Sequence, residues 1–277
     1  MSQLSAADTK PLGIWGLYRQ SLKPSDSRFN LYFARPLAAP LVFWFSKTRI
    51  TPNQITFVST LIMIIAVLCL ALVKGWIGLT AAIIGIELSY IFDCVDGQLA
   101  RVTKRSSAVG GDLDFMMDEI KAYLLIAAVG FRGATQTASD WHWIPNAWDW
   151  PIQTWPLFCA TLALVATSSA ISLTRFIRSE RYALATGSPP QGHGQSVGEG
   201  RSGGPLWPIK MAARLITQYP TSLPIFVITD TLDLFLYAYG ILHLLYAGQA
   251  SLGIFLKLGR FAPQESPPTI SGAEEQR

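Results

Sequence analysis

Two pairs of aspartates carry the chemistry this sequence can perform. Asp93 and Asp96 are three residues apart, and Asp114 and Asp118 are four apart. Either spacing sets a pair on one face of a helix. Two such helices, antiparallel across a short connection, bring the four carboxylates together. Anions crowded in a low dielectric repel one another unless cations join them, and hard oxygen ligands favour Mg²⁺, Mn²⁺ or Ca²⁺ over zinc. Gly97 and Ala100 leave room for a ligand against the helix backbone. Gly110, one turn ahead of Asp114, lets the next helix begin close by, and Arg101 offers a charge to a phosphate. Together these residues describe a pyrophosphate site, in which a carboxylate left over from coordination acts as base toward a hydroxyl. A purely structural role suits Asp114 and Asp118 alone, since acidic residues at a helix start favour the macrodipole. Asp93 and Asp96 resist it, because they end a helix.

The elements that must hold these residues are membrane spans. Half of the 277 residues are hydrophobic and only 14% are charged, against about 25% in soluble domains. A span needs about 20 mostly apolar residues. Gln54 to Val73 contains no charge, and Trp76 to Phe92 runs directly into Asp93. A third segment starts in the acidic stretch Asp114–Glu119 and continues to Phe131, and a fourth covers Trp155 to Leu173. Pro208 to Thr229 and Thr231 to Leu258 supply two more, although Lys210, Arg214, Pro220 and Pro224 weaken the first of these. The expected fold is therefore all-α and integral to the membrane, with six transmembrane helices. An amphipathic helix over Phe29 to Lys47 precedes them and lies in the interface.

The domain reading is an N-terminal region 1–48, a six-helix catalytic domain 49–260, and a disordered tail 261–277. Gly187 to Pro208, rich in Gly, Ser and Pro, reads as a loop. Basic residues gather before the first span, between the second and third at Arg101, Lys104 and Arg105, after the fourth at Arg175, Arg178 and Arg181, and at Lys257 and Arg260. The positive-inside rule then puts both termini and the aspartates in the cytoplasm. Trp141, Trp143, Trp148, Trp150 and Trp155 fall on the far side as an aromatic belt. The net charge of +4 fits anionic headgroups, and no nucleic-acid partner is expected. The polar start of the chain is unlike a secretory signal peptide. Cys69, Cys94 and Cys159 read as packing residues, and His142, His193 and His243 as incidental.

The run Asp-x2-Asp-Gly-x2-Ala-Arg-x8-Gly-x3-Asp-x3-Asp, from Asp93 to Asp118, resembles the signature of the CDP-alcohol phosphotransferase (CDP-alcohol phosphatidyltransferase) family at every fixed position. Thr51-Pro52-Asn53-Gln54-Ile55-Thr56 is similar to the family's stretch ahead of its first span. The resemblance implies a six-helix enzyme, commonly a homodimer, that breaks the pyrophosphate of a CDP-linked donor. It releases CMP and joins the phosphoryl group to an alcohol. Asp93, Asp96 and Asp114 would hold two Mg²⁺ or Mn²⁺ ions with Asp118 nearby, and Asp118 would be the general base. Gly97, Ala100, Arg101 and Gly110 would contact or accommodate the CDP part, aided by Asn53.

Family members of this size in bacteria often use CDP-diacylglycerol, which implies phospholipid synthesis in the inner membrane with a cytoplasmic active site. Members acting on phosphorylated acceptors tend to carry a basic run after the fourth span. Here Arg175 and Arg178 lie in that stretch and make an anionic acceptor site plausible, while Phe176 replaces a basic position. An aminoalcohol or inositol phosphotransferase using CDP-choline, CDP-ethanolamine or CDP-inositol is the alternative within the family. From another class, an ion-coupled transporter also places carboxylates in a membrane, but typically near the midplane rather than at helix ends beside basic residues.

Overall fold

The computed structural model describes residues 13–22, 30–137, 151–186 and 207–257. Every regular element among them is helical: α1 (Ile14–Ser21), α2 (Arg35–Phe45), α3 (Pro52–Leu72), α4 (Gly75–Val102), α5 (Ala108–Arg132), α6 (Thr154–Arg178), α7 (Glu180–Thr186), α8 (Trp207–Thr217), α9 (Tyr219–Ile228) and α10 (Leu232–Lys257). Short π-type turns at Asn30–Ala34 and Gly133–Thr137 lead into α2 and out of α5.

Among the described residues four helices, α3, α4, α6 and α10, are long and apolar enough to cross a membrane. Their outer faces carry large exposed apolar side chains, such as Phe57, Leu61, Ile65 and Leu68 on α3 and Leu244, Leu245, Leu252 and Phe255 on α10. A bundle so coated requires lipid around it, and the chain is a membrane protein. The third segment of the sequence reading forms the 25-residue helix α5. It falls outside the apolar set because Asp112, Asp114, Asp118, Glu119 and Lys121 crowd the stretch from residue 112 to residue 121. The segment from Pro208 to Thr229 is not one helix. It divides at Gln218 into α8 and α9, where Pro220 sits in the first turn of α9; a proline interrupts a helix interior but is tolerated there. The helix foreseen over Phe29 to Lys47 is described from Asn30 to Phe45, the π-type turn Asn30–Ala34 running into α2, which buries Arg35, Ala38, Ala39 and Val42. The tail 261–277, the loop 187–206 and Trp141, Trp143, Trp148 and Trp150 lie outside the described residues. Among the cysteines, Cys94 is buried and Cys69 and Cys159 half-buried, and none of the three is in a disulfide.

Helix starts follow local chemistry. Thr51 caps α3 in a capping box, its hydroxyl accepting from Gln54 N while the Gln54 side chain accepts from Thr51 N, with Pro52 following in the first turn. Ser107 caps α5, accepting from Gly110 N at 3.0 Å. Small residues then let the helices close up. Ser59 and Ser89 exchange hydroxyl-to-carbonyl bonds of 2.9 Å in both directions, locking the register of α3 on α4. A Cβ on Gly85 would lie 2.6 Å from Ala66 Cβ, and one on Gly130 would lie 2.3 Å from Ala160 Cβ. At the opposite end of α3, the buried Arg132 donates to the carbonyls of Leu70, Val73 and Gly75. That clamp holds the tight α3–α4 turn, whose Gly75 has φ +66°.

Two apolar cores result. The larger lies mid-bundle, around Met63, Leu70, Ile86, Leu125, Phe235 and Tyr239. The smaller seats α2 against α3 and α4 through Ala38, Val42, Ile55, Val95 and Leu99. This second core supports the end of the bundle where α3 and α5 begin and α4 ends, and that end carries the aspartates.

Candidate active site

Asp93 and Asp96 lie in the last three turns of α4, and Asp114 and Asp118 in the first three of α5. One carboxylate oxygen from each of Asp93, Asp114 and Asp118 lies within 4.8 Å of the others. Three of the four expected ligands therefore converge. Asp96 stands outside this triplet. Its side chain is buried, 4% exposed, and its Oδ2 accepts from Thr56 Oγ1 at 2.6 Å.

The hydroxyl of Thr56 thus aims a carboxylate from the neighbouring helix. Because Asp96 is buried, removing that donor leaves an acceptor oxygen without its partner, a loss of about 1–3 kcal/mol. Thr56→Val, which keeps the shape, is expected to destabilise the folded protein by about 1–3 kcal/mol. Melting curves of the variant and the wild type check this; an unchanged melting temperature would show that Asp96 needs no such support.

A residue the sequence reading passed over occupies the centre. Lys121, on α5, is 1% exposed and its Nζ lies 2.5 Å from Asp93 Oδ1 and 3.1 Å from Asp118 Oδ1. The spacing from Asp118, three residues on the same helix, was the available signal: a lysine one turn after an aspartate on a helix is placed to pair with it.

The expected CDP contacts surround the same end. A Cβ on Gly110 would lie 3.0 Å from Ser107 Oγ and 3.3 Å from Asn53 Oδ1, so the glycine permits α5 to start against α3. Asn53 and Gly110 are brought together. A Cβ on Gly97 would meet only the guanidinium of Arg101, at 3.4 Å and 3.8 Å. The backbone there is open to a ligand on the face that Arg101 overlooks, and Ala100, half-buried, is its neighbour in sequence. Arg101 Nε donates to Ser21 O at 2.7 Å, so the C-terminus of α1 fixes the arginine's stem. Arg175, exposed, reaches α5, pairing with Glu119 Oε1 at 3.0 Å and lying over the Phe115 ring. Glu119 and Phe115 each adjoin an aspartate of the cluster in sequence. Arg178 ends α6 one turn on and is half-buried. His243, the one histidine among the described residues, bonds Tyr239 O through Nδ1 within α10, far along the chain from the cluster.

The sequence profile of the CDP-alcohol phosphatidyltransferases matches residues 49–243. The chain belongs to the CDP-alcohol phosphatidyltransferase family. That match runs from the residues before α3 into α10 and includes every aspartate of the cluster. Over 96 residues the chain is 33% identical to the "bifunctional IPC transferase and DIPP synthase" of Thermococcus kodakarensis, an alignment covering 35% of this chain and 21% of the relative. The chain therefore aligns with about a fifth of that protein's length.

CDP-alcohol phosphatidyltransferases are a transferase family and generally depend on metal. The donor set in this member suits that dependence. Its converging atoms are all carboxylate oxygens, hard ligands matched to hard divalent cations. The cluster also draws a buried ammonium between two of its members, as expected where carboxylates crowd and positive charge is needed to hold them.

Proposed function

We propose that this protein is a metal-assisted enzyme of phospholipid synthesis. It transfers a phosphoryl-linked group from a CDP-activated donor, CDP-diacylglycerol in our reading, to an alcohol acceptor and releases CMP. The observation that carries this is the convergence of Asp93, Asp114 and Asp118 at the end of the bundle where the backbone at Gly97 is open and Gly110 lets α5 start against α3. Membership of the family supplies the reaction class, and the Thermococcus relative, named as a transferase and synthase, agrees with it.

In this reading Asp93, Asp96 and Asp114 hold Mg²⁺ or Mn²⁺, in two ions, with Asp118 at their edge. Metal held there would supply Lewis-acid stabilisation of the pyrophosphate and of the charge on the leaving CMP. Asp118, half-exposed at 49% of its side chain, is open to an incoming alcohol and takes the hydroxyl proton. The freed oxygen bonds to the phosphorus of the transferred group as the bond from that phosphorus to the CMP oxygen breaks. Gly97, Ala100, Arg101, Asn53 and Gly110 seat the CDP moiety. Arg175 and Arg178 face an anionic group of the acceptor, although Glu119 already balances part of the Arg175 charge.

The catalytic domain is residues 49–260, with the N-terminal region 1–48 and the tail 261–277 outside it. α5 and the α8–α9 pair complete six spans, α2 lies in the interface, and the active site faces the cytoplasm of a bacterial inner membrane, in a homodimer. The test is CMP release by the purified protein given CDP-diacylglycerol, Mn²⁺ and a panel of alcohols: inositol phosphate, glycerol phosphate, serine, inositol and choline. We expect release with one acceptor and none in EDTA. Silence with CDP-diacylglycerol and release with CDP-choline or CDP-ethanolamine would move the donor assignment, and silence with every CDP donor would overturn the enzyme reading.

A further inference from the structure

Lys121 is one of the largest fully buried side chains among the described residues. Its ammonium is inserted between two carboxylates that the proposed function assigns to metal and to base, Asp93 and Asp118. A divalent ion of Mg²⁺ size sits about 2.1 Å from each ligand oxygen. The oxygens of Asp93, Asp114 and Asp118 lie within 4.8 Å of one another, and Nζ is already 2.5 Å from one of them. An ion drawn to Asp93 and Asp118 together would thus stand within a few ångströms of the ammonium. Two cations that close repel strongly outside bulk water.

We propose that Lys121 is a resident cation of the cluster, one that holds Asp93 and Asp118 together before metal arrives and competes with divalent metal for them. The inference rests on the cluster being the metal site, as given above. Its consequence is regulatory: Lys121 sets how much free metal the enzyme needs. A lysine suits this, because its ammonium is a point charge on a flexible four-carbon stem and can withdraw from one carboxylate while keeping the other. No proton need move and no bond is made; charge is exchanged for charge.

The experiment titrates Mn²⁺ into the full-length protein in detergent, following free Mn²⁺ by electron paramagnetic resonance. Wild type is compared with Lys121→Met, Lys121→Gln and Lys121→Arg. Melting curves are taken in EDTA and in saturating Mn²⁺. The neutral variants should bind Mn²⁺ about tenfold tighter than wild type or better, because a like charge has been removed from beside the ligands. They should melt lower in EDTA and gain more from Mn²⁺, whereas Lys121→Arg should bind as wild type does. Gln retains a hydrogen-bond donor, so it reports even if the Met variant does not fold. Mn²⁺ affinity equal to or weaker than wild type in the folded neutral variants would overturn the proposal, as would absence of Mn²⁺ binding in every protein. Absent CMP release with the expected affinities would instead overturn the assigned function and leave the role of Lys121 standing.

Discussion

Replacing Asp118 by Asn is expected to lower CMP release on the order of a thousandfold, within the range that a positioned general base contributes. The side chain keeps its size, so packing at the start of α5 is conserved. What disappears is the basic oxygen and the negative charge on one of the two partners of Lys121. Because the stronger contact, with Asp93 Oδ1, survives, the melting temperature should fall little. Donor binding should also persist, since the residues assigned to the CDP part lie on α3, α4 and the first turn of α5. Calorimetric titration with a CDP donor, set beside turnover, separates these effects. Near-normal turnover would remove Asp118 from the role of base. Lost donor affinity with proportionate loss of rate would recast it as a binding residue.

Much of this site was readable from residue order because it is local. The three- and four-residue spacings of the aspartates fix which helix face they share, and the short connection from Val102 to Ala108 forces α4 and α5 antiparallel. The capping box at Thr51 is likewise a neighbour relation. What could not be read depended on distant pairings. Thr56 and Asp96 are 40 residues apart, and Arg101 meets the carbonyl of Ser21 across 80. Neither contact follows until α3 is laid on α4 and α1 is docked at their ends. Lys121 was missed for another reason. A lysine just after Asp118 and Glu119 resembles a surface residue of a helix, and only the burial of its α5 face reveals that it needs counter-charge. Hydropathy sets α5 and the α8–α9 segment apart from the four apolar helices. In α5, Asp112, Asp114, Asp118, Glu119 and Lys121 lower the mean of a helix that packs within the bundle; in the other, the break foreshadowed by Pro220 falls at Gln218.

Asp93→Ala should be the more damaging change, and in two separable ways. Catalytically it removes a carboxylate of the converging triplet, so CMP release should fall below detection at Mn²⁺ concentrations that saturate the wild type. Structurally it takes from Lys121 its closest partner, and Lys121 is 1% exposed while Asp118, the partner that remains, is 49% exposed. Deleting one member of a buried pair strands the other charge, at a cost of about 3 kcal/mol. Melting in EDTA should therefore drop well below wild type. The second loss, unlike the first, has a remedy. Adding Lys121→Met to Asp93→Ala removes the stranded ammonium, and the double variant should regain most of the lost stability while staying inactive. Single and double variants melted together form a cycle whose coupling term isolates the pair. A coupling near zero would mean that Lys121 and Asp93 are merely neighbours. Strong coupling without rescue of activity would separate what holds the cluster together from what the cluster does.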